Sequence, residues 1–213
     1  MTMTNNTQYG FHYDASKCNG CKGCHIICKS RFDGEDGVIP RRVYEYVGGG
    51  YADNNDGTVT SNTFAYYTSI SCNHCSEPVC VKACPTGAMH KRSKDGLVHV
   101  SSDLCIGCSS CAKACPYDAP QLDPVKKVMV KCDGCFELIA EGRKPLCVEG
   151  CPQRALDFGL IEDLKAKYPG SSIANVAPLP QASITSPNLL ISTNRLSRPS
   201  GSSEGKIENL TEV

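Results

Sequence analysis

The sequence predicts an α+β fold. Two pseudo-symmetric units of short strands and short helices are held by cysteine groups, with an extended C-terminal tail. Three observations carry that expectation. All 16 cysteines of the 213-residue chain fall into four groups of four, with none left over. Short runs rich in Val, Ile, Tyr and Phe lie between the groups, the composition of strands. After Gly170 the chain turns to Ser, Pro, Asn and Thr with few large apolar residues. Residues 1–170 are therefore expected to form one domain carrying all four groups. Residues 171–213 are expected to be a tail without its own core, either mobile or lying along a partner.

The first group is Cys18-x2-Cys21-x2-Cys24-x3-Cys28, and the second is Cys72-x2-Cys75-x4-Cys80-x3-Cys84-Pro85. The third is Cys105-x2-Cys108-x2-Cys111-x3-Cys115-Pro116. The fourth is Cys132-x2-Cys135, eleven residues, then Cys147-x3-Cys151-Pro152. A C-x2-C-x2-C-x3-C-P run is that of bacterial ferredoxins, where three thiolates hold one iron–sulfur cube and the fourth holds a neighbour. A short loop can wrap three sulfurs round one face of a cube, but the fourth ligand must come from elsewhere. All sixteen cysteines are therefore candidate ligands for four [4Fe–4S] clusters. The expected architecture is two bacterial-ferredoxin-like units of two clusters each.

Zinc and disulfides compete with this reading. Zinc sites built from paired C-x2-C knuckles leave no place for the three-cysteine runs Cys18–Cys24 and Cys105–Cys111. Disulfides need an oxidising compartment, and sulfurs this close in sequence would close only tiny loops. Proline after Cys84, Cys115 and Cys151 fixes φ and ends a short helix beside the ligand. Lys29 follows Cys28 instead, and its amide is expected to be free to donate to a sulfur.

Between the groups, Arg41–Val47, Thr63–Ile70, Leu97–Val100 and Lys127–Val130 read as strands. Arg41-Arg42 then reads as strand surface rather than an export signal. Gly48-Gly49-Gly50 and Asn54-Asn55-Asp56-Gly57 read as turns, the second as a hairpin tip. Helical turns are expected at Val81–Cys84 and Ala112–Cys115. Another is expected at Phe136–Glu141, stopped by Gly142, and one at Ile161–Tyr168, stopped by Pro169-Gly170.

Lys+Arg and Asp+Glu balance at 22 each, which gives no reason to expect nucleic acid. Four thiolate-bound cubes at about two negative charges each would make the assembled protein acidic by roughly eight units. Lys17, Lys22, Lys29, Lys82, Lys113 and Lys131 stand beside cysteines and read as partial compensation or as ordinary surface. Met1–Gln8 lacks the basic and apolar regions of a signal peptide, and no apolar run approaches membrane-spanning length. His74, inside Cys72-Asn-His-Cys75, reads as a hydrogen-bonding or packing group near a cluster. It and His12, His25, His90 and His99 are not assigned as ligands.

Each fourth cysteine must cross to another group, and spacing alone permits more than one pairing. Only twenty residues separate Cys84 from Cys105, which favours joining groups two and three. One cube would take Cys72, Cys75, Cys80 and Cys115, and its neighbour Cys105, Cys108, Cys111 and Cys84. The outer sets would be Cys18, Cys21, Cys24 with Cys151, and Cys132, Cys135, Cys147 with Cys28.

The sequence resembles the four-cluster subunits of membrane-bound molybdopterin oxidoreductases, which pair their ligands in this way. Among them it is most similar to the B subunits of anaerobic dimethyl sulfoxide reductases. The matching text is Gln8-Tyr-Gly-Phe11, Arg41-Arg-Val-Tyr-Glu-Tyr46, Phe64-Ala-Tyr-Tyr-Thr-Ser-Ile-Ser-Cys-Asn-His-Cys75 and Gly87-Ala-Met-His-Lys-Arg92. It continues in Ala140-Glu-Gly-Arg-Lys-Pro-Leu-Cys-Val-Glu149, Arg154-Ala-Leu-Asp-Phe-Gly159 and Ala177-Pro-Leu-Pro180. Related nitrate reductases carry tryptophan at the position of Cys108 and a three-iron cluster there. This sequence has no Trp at all.

The resemblance implies an electron-transfer subunit, not catalytic alone. It would relay electrons from an integral membrane quinol-oxidising anchor to a molybdopterin catalytic subunit that reduces a sulfoxide or N-oxide. It also implies peripheral membrane association through the anchor, on the periplasmic face by co-export with a partner, with the cytoplasmic face as the alternative. The tail and Phe136–Lys144 read as candidate partner surfaces. The competing functions are the same module in a polysulfide, thiosulfate or tetrathionate reductase or a formate dehydrogenase, and a free polyferredoxin.

Overall fold

The computed structural model describes residues 7–213. The reading of Met1–Gln8 as lacking an export signal falls largely on residues outside those described. No helix among the described residues is long and apolar enough to cross a membrane.

The fold is α+β, as expected, with every element short. The strand Tyr9–Asp14 runs antiparallel to Leu156–Leu160, with Tyr9 opposite Leu160 and Tyr13 opposite Leu156. It therefore joins the two ends of the four-group region. Its inward residues Phe11 and Tyr13 are buried, and Phe11 meets Phe158 edge-on at 4.7 Å between ring centroids. A second sheet pairs Arg42–Gly48 antiparallel with Phe64–Ile70 in unbroken register from Arg42↔Ile70 to Gly48↔Phe64. The hairpin Tyr51–Asp53/Val59–Ser61 projects beyond it, fully exposed. Its tip is the expected Asn54–Gly57 turn, closed by the Asn54 amide donating to the Thr58 carbonyl at 3.1 Å.

The middle of the chain holds two small ribbons, Met89–Lys91/Val98–Val100 and Gln121–Leu122/Met129–Val130. Short helices leave each cysteine loop. Gly23–Phe32 packs on Leu146–Glu149, and Val79–Lys82 packs on Ser110–Ala114. Helices from the first and fourth groups thus pair, and so do those from the second and third. This is the pseudo-symmetry in three dimensions. Phe136–Ala140 stops at Gly142, which takes φ 76°. The Gly142 and Arg143 amides close back on the Ile139 and Leu138 carbonyls, a Schellman ending that only a left-handed residue allows.

Three expectations change. The segment after Gly170 is extended and has no separate core, but it lies along its own chain. Leu189–Ser192 enters the first sheet parallel to Tyr9–Asp14, and Gly205–Ile207 adds an edge to Arg42–Gly48. Leu189, Leu190 and Ile191 are buried there, as are Val176, Ala177 and Leu179. Few apolar residues suffice, because the core they complete is built by residues far earlier. Arg41 is not strand surface. It is 2% exposed, just ahead of the strand that begins at Arg42, and Arg42 is buried too, at 3%, donating to the Tyr117 carbonyl. Nor is the Lys29 amide free: the helix Gly23–Phe32 runs through Cys28, so that amide belongs to the i→i−4 ladder.

Ile191→Ala should cost about 2–5 kcal/mol, read as a fall in the denaturant midpoint of the cluster-loaded protein. Ile184→Ala, at a position 52% exposed, should leave the midpoint within about 0.5 kcal/mol of wild type.

Candidate metal centres

All four cysteine loops open on the same backbone turn. The residue ahead of the second cysteine has positive φ in each: Gly20 at 72°, His74 at 44°, Gly107 at 66° and Gly134 at 74°. Glycine takes this conformation without a Cβ clash. In the first and third groups Lys22 and Ser109 repeat the left-handed turn at φ 58° and 59°, just before the helices. Such alternation aims consecutive N–H groups into one concavity, the backbone nest that favours anionic clusters.

Three cavities result, each lined by three cysteines of one group and one of another. Cys18, Cys21 and Cys24 share theirs with Cys151. Cys72, Cys75 and Cys80 share theirs with Cys115, and Cys105, Cys108 and Cys111 share theirs with Cys84. Cys28 lies buried with Cys132, Cys147 and Cys135: burial, then those three thiols, push its pKa up. Twelve of the sixteen predicted residues thus line three shared cavities in sets of four, and the other four are all buried. The cavity walls are otherwise largely apolar, with Pro78, Val79, Val98 and Ala119 in one and Met89, Val100 and Met129 in another.

Backbone amides point at the sulfurs. Met89 donates to Cys84 Sγ and Met129 to Cys105 Sγ, both at 3.3 Å, while Gly134 donates to Cys132 Sγ and Ala155 to Cys151 Sγ at 3.4 Å. Such bonds stabilise thiolate over thiol. Burial opposes them, pushing Cys75, Cys80 and Cys147 up to about 12 and Cys135 to about 11. A thiol held that high is protonated at neutral pH unless a metal binds it, and metal ligation deprotonates it outright. At the exposed end Cys108 is lowered, by its hydrogen bonds to Ser110.

The donor set fits an iron–sulfur cube. Zinc would draw four sulfurs to about 3.8 Å of one another, given Zn–S bonds of about 2.3 Å. Here the sulfurs surround a cavity, and among the described residues no three His, Cys, Asp or Glu side chains converge on a single point. A cube accepts one thiolate at each iron corner and needs that wider spacing.

Charged and polar groups complete the surroundings. His74 is completely buried. Its Nδ1 accepts the Val98 amide at 3.0 Å, so the ring proton sits on Nε2, which faces Cys132 Sγ at 3.9 Å. Burial, then Lys131, lowers its pKa well below the ordinary histidine value, and the ring stays neutral. The expected hydrogen-bonding role near a cluster is thereby seen, with the sulfur belonging to a group other than its own.

Of the six lysines beside cysteines, Lys131 alone is buried, at 4% exposure. Its Nζ donates to the Cys132 carbonyl at 2.9 Å and to the Val98 carbonyl. Arg41, buried and bonded to Ser69 and Ser71 near these cysteines, is a neighbour that the sequence alone does not reveal. An arginine ahead of a strand carries no local mark of what its far side will meet.

Residues 63–161 match the model of 4Fe-4S dicluster domains, and residues 15–36 match a 4Fe-4S binding domain. The B subunit of the anaerobic dimethyl sulfoxide reductase of Escherichia coli strain K12 is 54% identical over 207 residues, covering 97% of this protein and 99% of that one. This protein belongs to the family of anaerobic dimethyl sulfoxide reductase B subunits. It is an iron–sulfur electron-transfer subunit with four [4Fe–4S] clusters, not a catalyst by itself. The corresponding subunit of Haemophilus influenzae is 51% identical over 206 residues, again 97% of this protein and 99% of its own length. The B subunit of the polysulfide reductase of Wolinella succinogenes is 37% identical over 190 residues, covering 88% of this protein and 95% of its own length.

Anaerobically purified protein should contain about sixteen iron and about sixteen acid-labile sulfide per chain. About four zinc instead would overturn the cluster assignment.

Proposed function

We propose that this protein carries electrons from a quinol-oxidising membrane anchor to a molybdopterin catalytic subunit that reduces a sulfoxide or N-oxide. The observation that carries the reading is 54% identity to a dimethyl sulfoxide reductase B subunit over 97% of the length. The periplasmic face, reached by co-export with the catalytic partner, belongs to the same proposal. A polysulfide-reducing partner is the second reading, favoured by the 37% identity to the polysulfide reductase B subunit.

The proposed ligand sets are Cys18, Cys21, Cys24 and Cys151; Cys28, Cys132, Cys135 and Cys147; Cys72, Cys75, Cys80 and Cys115; and Cys84, Cys105, Cys108 and Cys111. When bound, each cluster supplies a one-electron carrier. The protein holds the carriers close together, tunes them and keeps water out.

Proximity follows from the crossing. Cys24 and Cys28 lie one turn apart on the helix Gly23–Phe32, a rise of about 6 Å, yet serve different sites. Cys80/Cys84, Cys111/Cys115 and Cys147/Cys151 repeat the device. His74 supplies the remaining link, sitting in the Cys72–Cys75 loop with its N–H toward Cys132.

These links support one linear order: the Cys18 site, the Cys132 site, the Cys72 site, the Cys105 site. Exposure supports the same order. Cys21 and Cys108 are the two exposed cysteines and fall in the terminal sets, whereas Cys28, Cys132, Cys135 and Cys147 are all buried. A relay has to be reachable at its ends and shielded in its middle.

Two measurements test this reading. In EPR spectra, Cys115→Ser should alter the same cluster signal as Cys72→Ser, and Cys84→Ser the same as Cys105→Ser. Cys115→Ser tracking Cys105→Ser would refute the crossing. The complex co-purified with this protein should reduce dimethyl sulfoxide with a reduced dye. Polysulfide reduction without sulfoxide reduction would transfer the assignment to the second reading.

A further inference from the structure

We propose that Arg41 is a redox-tuning residue, a fixed positive charge shared by two adjacent cluster sites that holds the potentials of both above the value burial alone would set. The inference rests on the four-cluster reading and concerns the Cys18 and Cys132 sites.

Arg41 is among the largest fully buried side chains of the protein, and no carboxylate among the described residues forms an ion pair with it. Its guanidinium donates only to neutral hydroxyls, Ser69 Oγ at 3.0 Å and Ser71 Oγ at 2.9 Å. Its face lies over the Phe11 ring at 4.7 Å, and its buried Nε has no hydrogen-bond partner. An arginine cannot shed its proton to escape burial, and an uncompensated buried charge is strongly destabilising. Serines and a phenylalanine position a guanidinium, but they do not neutralise it.

Sulfur is the negative charge within reach. Burial alone would lower the Arg41 pKa, yet Cys147, Cys24, Cys132 and Cys28 outweigh it and push the pKa up. Cys24 belongs to one proposed set and the other three to its neighbour, so the cation stands between two sites. The Ser69 hydroxyl also touches Cys24 Sγ at 3.4 Å, linking the fork directly to the first site.

The sign follows from charge. Reduction adds one negative charge to a cluster, and Arg41 attracts the reduced form more strongly than the oxidised one. Water is excluded here, so the interaction is weakly screened. Removing the charge therefore lowers both potentials. The Cys72 and Cys105 sites contribute none of the cysteines named above, so their potentials are expected to change less.

The test is an EPR-monitored redox titration of the complex purified anaerobically with its partners, with signals assigned through the Cys→Ser variants above. In Arg41→Gln two of the four midpoints, those of the Cys18 and Cys132 sites, should fall. The expected loss is at least tenfold in the reduced-to-oxidised ratio, about 59 mV for a one-electron couple. Arg41→Lys keeps the charge on a shorter stem and should lower the same two midpoints by less. If Arg41→Gln does not assemble four clusters, Arg41→Lys decides. A fall largest at those two midpoints supports the proposal, and no shift, or an equal shift in all four, overturns it. Iron and sulfide in the wild-type complex report separately on the four-cluster reading.

Discussion

The crossing of the fourth cysteine is the constraint on which the rest of the structure depends. Three sulfurs of a loop line a cavity, and the fourth wall is a cysteine from another group. That requirement dictates which helices pack together. Gly23–Phe32 must meet Leu146–Glu149, and Val79–Lys82 must meet Ser110–Ala114. The outer pair is more than a hundred residues apart in sequence, so its closure also draws the two ends of the four-group region together. The strand pairing of Tyr9–Asp14 with Leu156–Leu160 is the same closure seen in the backbone. Cluster-binding fragments of this kind have little apolar core of their own, and the metal–thiolate links take over part of its role.

Burial imposes the next constraint. Withdrawing the sites from water keeps electrons from leaking, but it also pushes the thiols up to about 11 and 12. The fold counters this with amides aimed at sulfur, with hydroxyls such as Ser110 and Ser69, and with the buried cations Lys131 and Arg41. Lys131 is engaged mostly by carbonyl oxygens and lines the cavity of Cys72, Cys75, Cys80 and Cys115. Arg41 holds only neutral hydroxyls, and one of them, Ser69, touches Cys24 Sγ. A formal charge of zero for the bare sequence hides this arrangement, because the clusters bring their own negative charge.

How much of this was readable from residues alone depends on distance along the chain. The ligand loops are local, and so are their turns: Gly20, Gly107 and Gly134 lie within C-x2-C pairs, where only a left-handed turn closes the loop. The hairpin tip at Asn54–Gly57 and the stop at Gly142 are local in the same sense, and both appear where expected. The strand Leu189–Ser192 was not readable. Its partner is the strand Tyr9–Asp14, and nothing in Leu-Leu-Ile-Ser says that a place in a sheet waits far upstream. Arg41 fails for the same reason. Its identity suggests surface, and its surroundings come from Phe11, Ser69 and cysteines of two separate groups.

The returning segment also has a part in the sites themselves. Thr185 and Ser186 accept the Glu77 and Ser76 amides through their carbonyls, and the Asn188 amide donates to the Asn73 carbonyl at 3.0 Å. The Asn188 side chain donates to the His74 carbonyl at 2.8 Å. Together these bonds clamp the loop that carries Cys72 and Cys75. His74 there holds a left-handed conformation at φ 44°, which a residue with a Cβ adopts only when its surroundings enforce it. The enforcement is visible: the Val98 amide on its ring nitrogen, Asn188 on its carbonyl, and complete burial. With glycine at that position, as in the other three groups, the turn would form unaided, but no N–H would face Cys132. The strain is accepted in the one loop whose side chain reaches the neighbouring unit, so the link between the two halves is held by the segment that composition alone would have set aside as a tail.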